Sequence, residues 1–373
     1  MSTKVRHVLG ISGGKDSAAL AIYLKTKFPG LDLEYYFCDT EKELDETYRI
    51  IEKLEVFLGK KIIKLKAAEN STKPGFDHFL ELYGGYLPSP SQRWCTKKLK
   101  LQPFEQYIGD DPVVSYVGIR GDESREGYIS KKSNIQSIFP FRKNIWSSDV
   151  VRKVLSDSNI DLMVSLAPEY VTNIADKDEI IATISTKLSQ GFDVDNKLNR
   201  LISLDAVALN RLVSQYLRET DYPLSVVDNF PLVEKDESIV LADVYKILED
   251  SGVGIPGYYK EKSFTVNDNE IELTGYYSRS RSGCYFCFFQ QKIEWVWLYE
   301  QHPKLFYMAM EYEKDGYSWM DNERLEDIIK PERIKEIKLM QIKRIEKGMS
   351  KNNKSLIDIL DVDMGNSCPS CFI

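Results

Sequence analysis

The stretch Ile11-Ser12-Gly13-Gly14-Lys15-Asp16-Ser17 constrains what this chain can fold into more than any other. Val5 to Ile11 has the composition of a short buried strand, and Ser17 to Phe28 repeats apolar residues at helical spacing, so the two glycines fall at a strand-to-helix turn. The first N–H groups of a helix have no partner within it and lie at the positive end of its dipole. A phosphate settles there, and Gly13 and Gly14 let it approach the backbone. The stretch therefore reads as a nucleotide pocket.

A generic P-loop requires Lys followed by Ser or Thr after a longer glycine-bounded loop, whereas here Lys15 is followed by Asp16. The run SGGKDS instead resembles the PP-loop of the ATP pyrophosphatases, which cleave ATP between the α- and β-phosphates and adenylate an acceptor. The resemblance implies that Ser12, Gly13, Gly14 and Ser17 hold phosphates. It gives Lys15 and Asp16 catalytic roles, the first as a cation on phosphate and the second as a helper in placing Mg²⁺.

The remaining composition sets the compartment. No apolar run among the 373 residues approaches the roughly 20 needed to span a bilayer, and MSTKVRHVLG lacks the apolar core of a signal peptide. A cytoplasmic protein without membrane contact is expected. In a reducing compartment its six cysteines would be thiols, metal or cluster ligands, or redox dithiols. They fall as singles at Cys38 and Cys95 and as two CxxC pairs, Cys284/Cys287 and Cys368/Cys371. A net charge of −7 argues against a chain that coats nucleic acid over its whole surface and allows a local basic patch.

Leu33 to Cys38, Ile62 to Leu65 and Val113 to Gly118 read as further strands, and Glu43 to Leu58 as an amphipathic helix. Strands alternating with helices predict an α/β fold with an open, mostly parallel sheet and right-handed crossovers. Ligands of such sheets bind beyond the carboxyl ends of the strands, where the first strand delivers SGGKDS, the second Asp39 and the fourth Gly118-Ile119-Arg120. Between the third and fourth strands, Arg93, Lys97, Lys98 and Lys100 crowd around Cys95. Such cations attract phosphate or sulfate and lower the pKa of a nearby thiol. Residues 155–228 carry helical spacing at Glu179 to Leu188 and Leu198 to Arg218, with turns expected near Pro168, Gly191 and Pro223, and read as a helical insertion. The expected organisation is a core over 1–154, the insertion over 155–228, a second region with the CxxC over 229–345 and a flexible tail over 346–373.

Taken in order, the PP-loop, Asp39-Thr40 after the second strand, Arg93-Trp94-Cys95-Thr96-Lys97-Lys98 and Gly118-Ile119-Arg120-Gly121-Asp122-Glu123-Ser124-Arg125 resemble the phosphoadenosine phosphosulfate reductase family. The family has the adenine nucleotide alpha hydrolase-like fold and includes sulfonucleotide reductases and the ATP-hydrolysing subunit of DNA phosphorothioation systems. The resemblance places Asp39 near the nucleotide as a third catalytic residue. It implies that Arg93, Lys97, Arg120 and Arg125 hold the anionic end of the ligand, with Glu123 and Ser124 ordering their loop. Cluster-bearing members take ligands from the Arg-x-Cys segment and a distant CxxC, which here implies Cys95, Cys284 and Cys287 and a [4Fe-4S] cluster. Zinc is the alternative, and the fourth ligand stays open. Departures are the single cysteine at 95, where assimilatory reductases have two, the long insertion, and a tail without the family's Glu-Cys-Gly context.

Pro331 to Lys354 holds more Lys and Arg than Glu, with Ile334, Ile337, Ile342 and Ile345 along one side. It reads as a surface helix that could also meet DNA or another polyanion. The function expected is ATP pyrophosphatase chemistry in sulfur transfer of the DNA phosphorothioation type or an associated defence system. A cysteine desulfurase and other defence proteins are the partners this implies. The alternatives are a sulfonucleotide reductase and a non-catalytic ATP sensor.

Overall fold

The computed structural model describes residues 4–124, 130, 132–314 and 316–352. Five parallel strands, β1 (Arg6–Gly10), β2 (Leu33–Asp39), β3 (Ile62–Lys66), β4 (Val113–Tyr116) and β5 (Ile135–Ile138), lie in the order β3-β2-β1-β4-β5. Side chains alternate between the two faces of this sheet. Leu9, Tyr35, Phe37, Val114 and Tyr116 enter the larger core, while Val8, Tyr36, Cys38 and Val113 pack on the other face against Phe104 and Ile108. Both faces are covered, as an all-parallel sheet requires.

β5 is missing from the sequence reading for a physical reason. It is only four residues long, and its polar Gln136 is buried because the side-chain carbonyl accepts the Leu224 N–H at 2.9 Å. The pattern that would mark it as a strand therefore depends on a partner 88 residues away.

Helices α1 (Lys15–Lys27), α2 (Asp45–Leu58) and α3 (Gly75–Leu82) follow the first three strands. The segment before β4 is helical as expected, but it is built from α4 (Trp94–Thr96), a π turn over Lys97–Leu101, and α5 (Gln102–Ile108). Then come α6 (Ser148–Val154), α7 (Ile160–Tyr170), α8 (Ile174–Ser185) and α9 (Val194–Leu217). Pro168, expected at a turn, lies inside α7. α9 breaks at Asp205, which leaves helical geometry and accepts the Ala208 N–H at 2.8 Å, so the helix restarts on its own N-cap. Met163, Ile180, Leu201 and Leu212 of these helices share one hydrophobic core with the sheet.

Beyond α10 (Leu241–Asp250), which returns to pack on α1, the chain forms an antiparallel hairpin of β6 (Lys262–Asp268) and β7 (Ile271–Tyr277). Its two-residue loop has positive φ at Asn269 (49°) and Glu270 (67°). Glu in place of the favoured Gly hides this turn from sequence inspection. Helices α11 (Lys292–Gln301), α12 (Pro303–Met310), α13 (Leu325–Ile328) and α14 (Pro331–Asn352) complete the described chain around a second core of Trp295, Trp297, Phe306 and Trp319, into which Phe76 of α3 also inserts. No helix among the described residues is long and apolar enough to cross a membrane.

The strand order reverses between β1 and β4, so a crevice opens where these two strands end. The Ser12–Ser17 turn and the Arg120 loop emerge on its two sides.

Candidate nucleotide and cysteine site

The turn from β1 into α1 is held from within. Ser17 Oγ accepts the Ser12 N–H at 3.1 Å and donates to the Gly14 carbonyl at 3.3 Å, while Ser12 Oγ accepts the Gly14 N–H at 3.3 Å. Its glycines are required by close approach. A Cβ on Gly13, whose φ is +74°, would lie 2.4 Å from Thr47 Cγ2 of α2, and one on Gly14 would lie 2.6 Å from Ser282 Oγ. Tyr258 donates its hydroxyl to the Gly13 carbonyl at 2.7 Å. The segment that leads to the CxxC is therefore packed directly on the phosphate-type turn.

Lys15, Asp16 and Arg120 form one buried network. Lys15 Nζ is 3.3 Å from Asp16 Oδ2 and Arg120 Nη1 is 2.8 Å from Asp16 Oδ1, with the three residues 4%, 6% and 3% exposed. Arg120 also meets Asp122 and Glu123, each at 2.9 Å. Three carboxylates thus surround the guanidinium expected to hold a ligand anion, and Arg120 ties the β4 loop to the β1 turn. Asp39 ends β2 nearby, where its Oδ1 accepts the Glu41 N–H and the Tyr48 hydroxyl, both at 2.8 Å. These bonds fix the carboxylate while using one of its two oxygens.

A cavity of about 580 Å³ opens beside Lys15 and is lined also by Tyr245, Tyr259, Lys260, Arg279 and Ser280. Tyr259 lies with its ring centroid 5.0 Å from Lys15 Nζ. Burial raises its phenol pKa, opposed by the Lys15 charge and by a hydrogen bond from the Lys15 amide. Arg279 is 1% exposed and donates Nη2 to the Cys284 carbonyl at 3.1 Å, while its Nε and Nη1 are buried without an acceptor among the described residues. A buried guanidinium with two nitrogens that lack an acceptor is suited to an anion or an ordered water. Tyr259 and Arg279 escaped the sequence reading as nucleotide-site residues. The only available signal was their place in the run leading to the CxxC, where Arg279 reads equally well as a counter-charge for thiolates.

Cys95 of α4 and Cys284 and Cys287 of the loop before α11 line one small cavity of about 50 Å³ together with Thr40, Lys100 and Phe286. Cys284 Sγ is 3.1 Å from Thr40 Oγ1, which donates to Glu43 Oε1 at 2.8 Å. Burial first and Glu43 second push the Cys284 thiol well above its ordinary pKa, and burial also raises the Glu43 carboxyl. Cys38 does not line this cavity. Its thiol faces the Lys100 carbonyl at 3.5 Å and is pushed up to about 12 by burial. Among the described residues no three His, Cys, Asp or Glu side chains are set to hold a metal ion. Cys284 turns to Thr40 and Glu43 while it shares the cavity with Cys95 and Cys287.

Arg93 and Arg281 both stand over the Phe289 ring, at 5.0 and 5.2 Å from its centroid. Phe289 lines the cysteine cavity, so Arg93 stands beside its wall, whereas Lys97 is exposed. Ser124 follows Glu123 in the β4 loop, and Arg125, Cys368 and Cys371 lie outside the described residues.

The ordered signals of the first half meet in a known domain, and the match runs from β1 to the start of α7. Residues 6–162 match the phosphoadenosine phosphosulfate reductase domain. Uncharacterized protein MJ0066 of Methanocaldococcus jannaschii is 36% identical over 154 residues, which is 38% of this chain and 29% of that protein. The tRNA-specific 2-thiouridylase MnmA of Hydrogenovibrio crunogenus is 28% identical over 148 residues, 35% of this chain and 37% of the enzyme. The uncharacterized nin region protein ORF290 of Escherichia phage lambda is 27% identical over 143 residues, 32% of this chain and 49% of that protein. The chain therefore spans less than half the length of each of these relatives.

Within the matched segment lie the Ser12–Ser17 turn, Asp39, Arg93, Cys95, Lys97, Arg120, Glu123 and Ser124. Tyr258, Tyr259, Arg279, Cys284 and Cys287 lie beyond it, and they close over the domain from the C-terminal side.

Proposed function

We propose that this chain is a PP-loop enzyme that uses ATP to activate an oxygen of a nucleic-acid acceptor and then replaces that oxygen with sulfur. The observation that carries the reading is the packing of the CxxC segment on the nucleotide turn. Ser282, two residues before Cys284, lies 3.4 Å from Ser12 Oγ, and Tyr285 donates its amide to the Lys42 carbonyl at 2.9 Å, so nucleotide groups and thiols share one locality. The domain match and the 2-thiouridylase relatives support the sulfur-transfer part.

In this reading the acceptor oxygen attacks the α-phosphorus and the bond to the β-phosphate breaks, with pyrophosphate leaving on the electron pair. Lys15 and the amides of the β1–α1 turn stabilise the charge that develops on the leaving phosphates, and Arg279 is the further cation of the adjoining cavity. Mg²⁺ on the triphosphate would supply additional charge neutralisation, and Asp16 and Asp39 are the carboxylates that would hold it. A sulfur nucleophile then displaces AMP from the adenylated acceptor. In this reading a cysteine desulfurase leaves a persulfide on Cys284, whose outer sulfur is that nucleophile. Cys287 then attacks the inner sulfur, the S–S bond breaks so that the outer sulfur stays on the acceptor, and an external dithiol returns the resulting Cys284–Cys287 disulfide to thiols. Transfer to a DNA backbone phosphate, as in phosphorothioation and its defence systems, is one form of this chemistry, and transfer to an RNA base is the other.

Incubation with ATP, Mg²⁺, a cysteine desulfurase with radiolabelled cysteine, and separate RNA and DNA acceptors tests the proposal. Label in either nucleic acid that requires ATP and is lost in Cys284→Ser supports it, while ATP-independent or absent labelling overturns it. The domain match favours one second reading, a sulfonucleotide reductase. That reading predicts sulfite release from an adenylylated sulfate in the presence of a dithiol.

A further inference from the structure

A cavity of about 620 Å³ that this function leaves unexplained lies at the carboxyl end of β3, on the outer flank of the sheet. It is lined by the turn after β3, where Ala68 has a φ of 55°, a left-handed conformation that is strained for a non-glycine residue. Strain of this kind gathers at functional sites. One wall is Phe79 of α3, and the other is formed by Lys98 of the π turn with Gln102 and Gln106 of α5. Lys66 and Lys98 are its cations and Glu69 its only carboxylate among the described residues.

The chemistry of this lining is specific. Three side-chain amides, those of Asn70, Gln102 and Gln106, supply paired donors and acceptors of the kind that reads a base edge. Phe79 and Pro103 supply flat apolar surface, and Lys98 Nζ stands 5.6 Å from the Phe79 centroid, where it would also meet a phosphate. The volume lies within the roughly 300–1,000 Å³ typical of ligand pockets.

Its position is equally informative. Cys95, Thr96, Leu99 and Lys100 line the cysteine cavity, while Lys98, Gln102 and Gln106 line this one, so the short stretch containing the π turn is a shared wall. π turns concentrate at functional positions.

We propose that this cavity binds an unpaired nucleotide of the acceptor strand, its base held by Gln102, Gln106 and Phe79 and its phosphate by Lys98. The inference rests on the nucleic-acid reading above and names where that acceptor docks. A strand seated here would run past the cysteine cavity on the other side of the π turn.

The test is fluorescence anisotropy with the full chain and short labelled single-stranded RNA and DNA oligonucleotides, across a salt series, beside pyrophosphate release from ATP. Gln102 and Gln106 are exposed, so Gln102→Ala with Gln106→Ala leaves the core intact. This variant should weaken binding of at least one oligonucleotide about tenfold with an unchanged salt slope, whereas Lys66→Ala with Lys98→Ala should lower the slope. Binding equal to that of the parent overturns the proposal, as does a parent that binds neither oligonucleotide. Free UMP or AMP that binds as tightly as the oligonucleotides, with the same dependence on the two glutamines, also overturns it and makes this a free-nucleotide site. Loss of pyrophosphate release with glutamine-dependent oligonucleotide binding intact would fail the proposed reaction and leave the pocket standing.

Discussion

Arg120 shows how one residue can be located correctly from sequence and its surroundings not foreseen. Its place after β4 is readable from Gly118-Ile119-Arg120, but the sequence gives no hint that Asp16, Asp122 and Glu123 converge on its guanidinium. Arg120→Ala would leave Asp16 buried without this partner, so stability should fall by about 3–5 kcal/mol in urea unfolding, the range for breaking a buried ion pair. If Arg120→Ala unfolds like the parent and only nucleotide affinity changes, the residue is a ligand cation and not a structural tie. Lys235 offers a second residue-level test, since burial lowers its pKa to about 8 from 10.5. The folded state therefore releases this proton at lower pH than the unfolded state does, and between about pH 8 and 10.5 the unfolded chain holds more of it. Stability of the parent should accordingly rise relative to Lys235→Met as pH increases through that window. A difference independent of pH would contradict the burial argument.

Among the elements, the strongly periodic ones were legible and the ones specified by distant partners were not. β1 to β4 and the helices after β1 and β2 follow from apolar spacing and from the Gly-Gly turn, whereas β5 depends on the bond from Leu224 to Gln136 and the β6–β7 hairpin on a loop without glycine. The cation-rich α14 has a plainer account than its charge proposes. Its Lys338 pairs with Glu300 at 2.7 Å, Arg333 with Glu323 at 2.6 Å, and Ile337, Ile342 and Ile345 are buried, so much of its polar and apolar surface is spent inside the molecule. The break in α9 gives this scale its prediction. Asp205→Ala removes the carboxylate that caps the second half of the helix and should cost about 0.5–2 kcal/mol in urea unfolding, with unchanged m-value. No measurable loss would mean that packing alone sets the break.

At the level of the whole molecule, the matched region 6–162 supplies the nucleotide turn and Cys95 of the cysteine cavity, and the C-terminal region supplies Cys284, Cys287 and the contact of Tyr258 on the turn. The convergence of β1, β2 and β4 at one edge was legible because parallel α/β topology dictates it. The joining of the two regions was not, because Tyr258 on Gly13 and Ser282 beside Gly14 are contacts across more than 240 residues, which no local pattern encodes. The central claim is that this composite site cleaves ATP between the α- and β-phosphates. The most direct measurement is separation of the products formed from α-labelled ATP by the parent and by Lys15→Ala, with and without nucleic acid. The account predicts labelled AMP with an equal amount of pyrophosphate from the parent and a loss of at least about a hundredfold in the variant, the scale of removing one preorganised charge-stabilising group. Labelled ADP as the product, or AMP formed equally by both proteins, would contradict it.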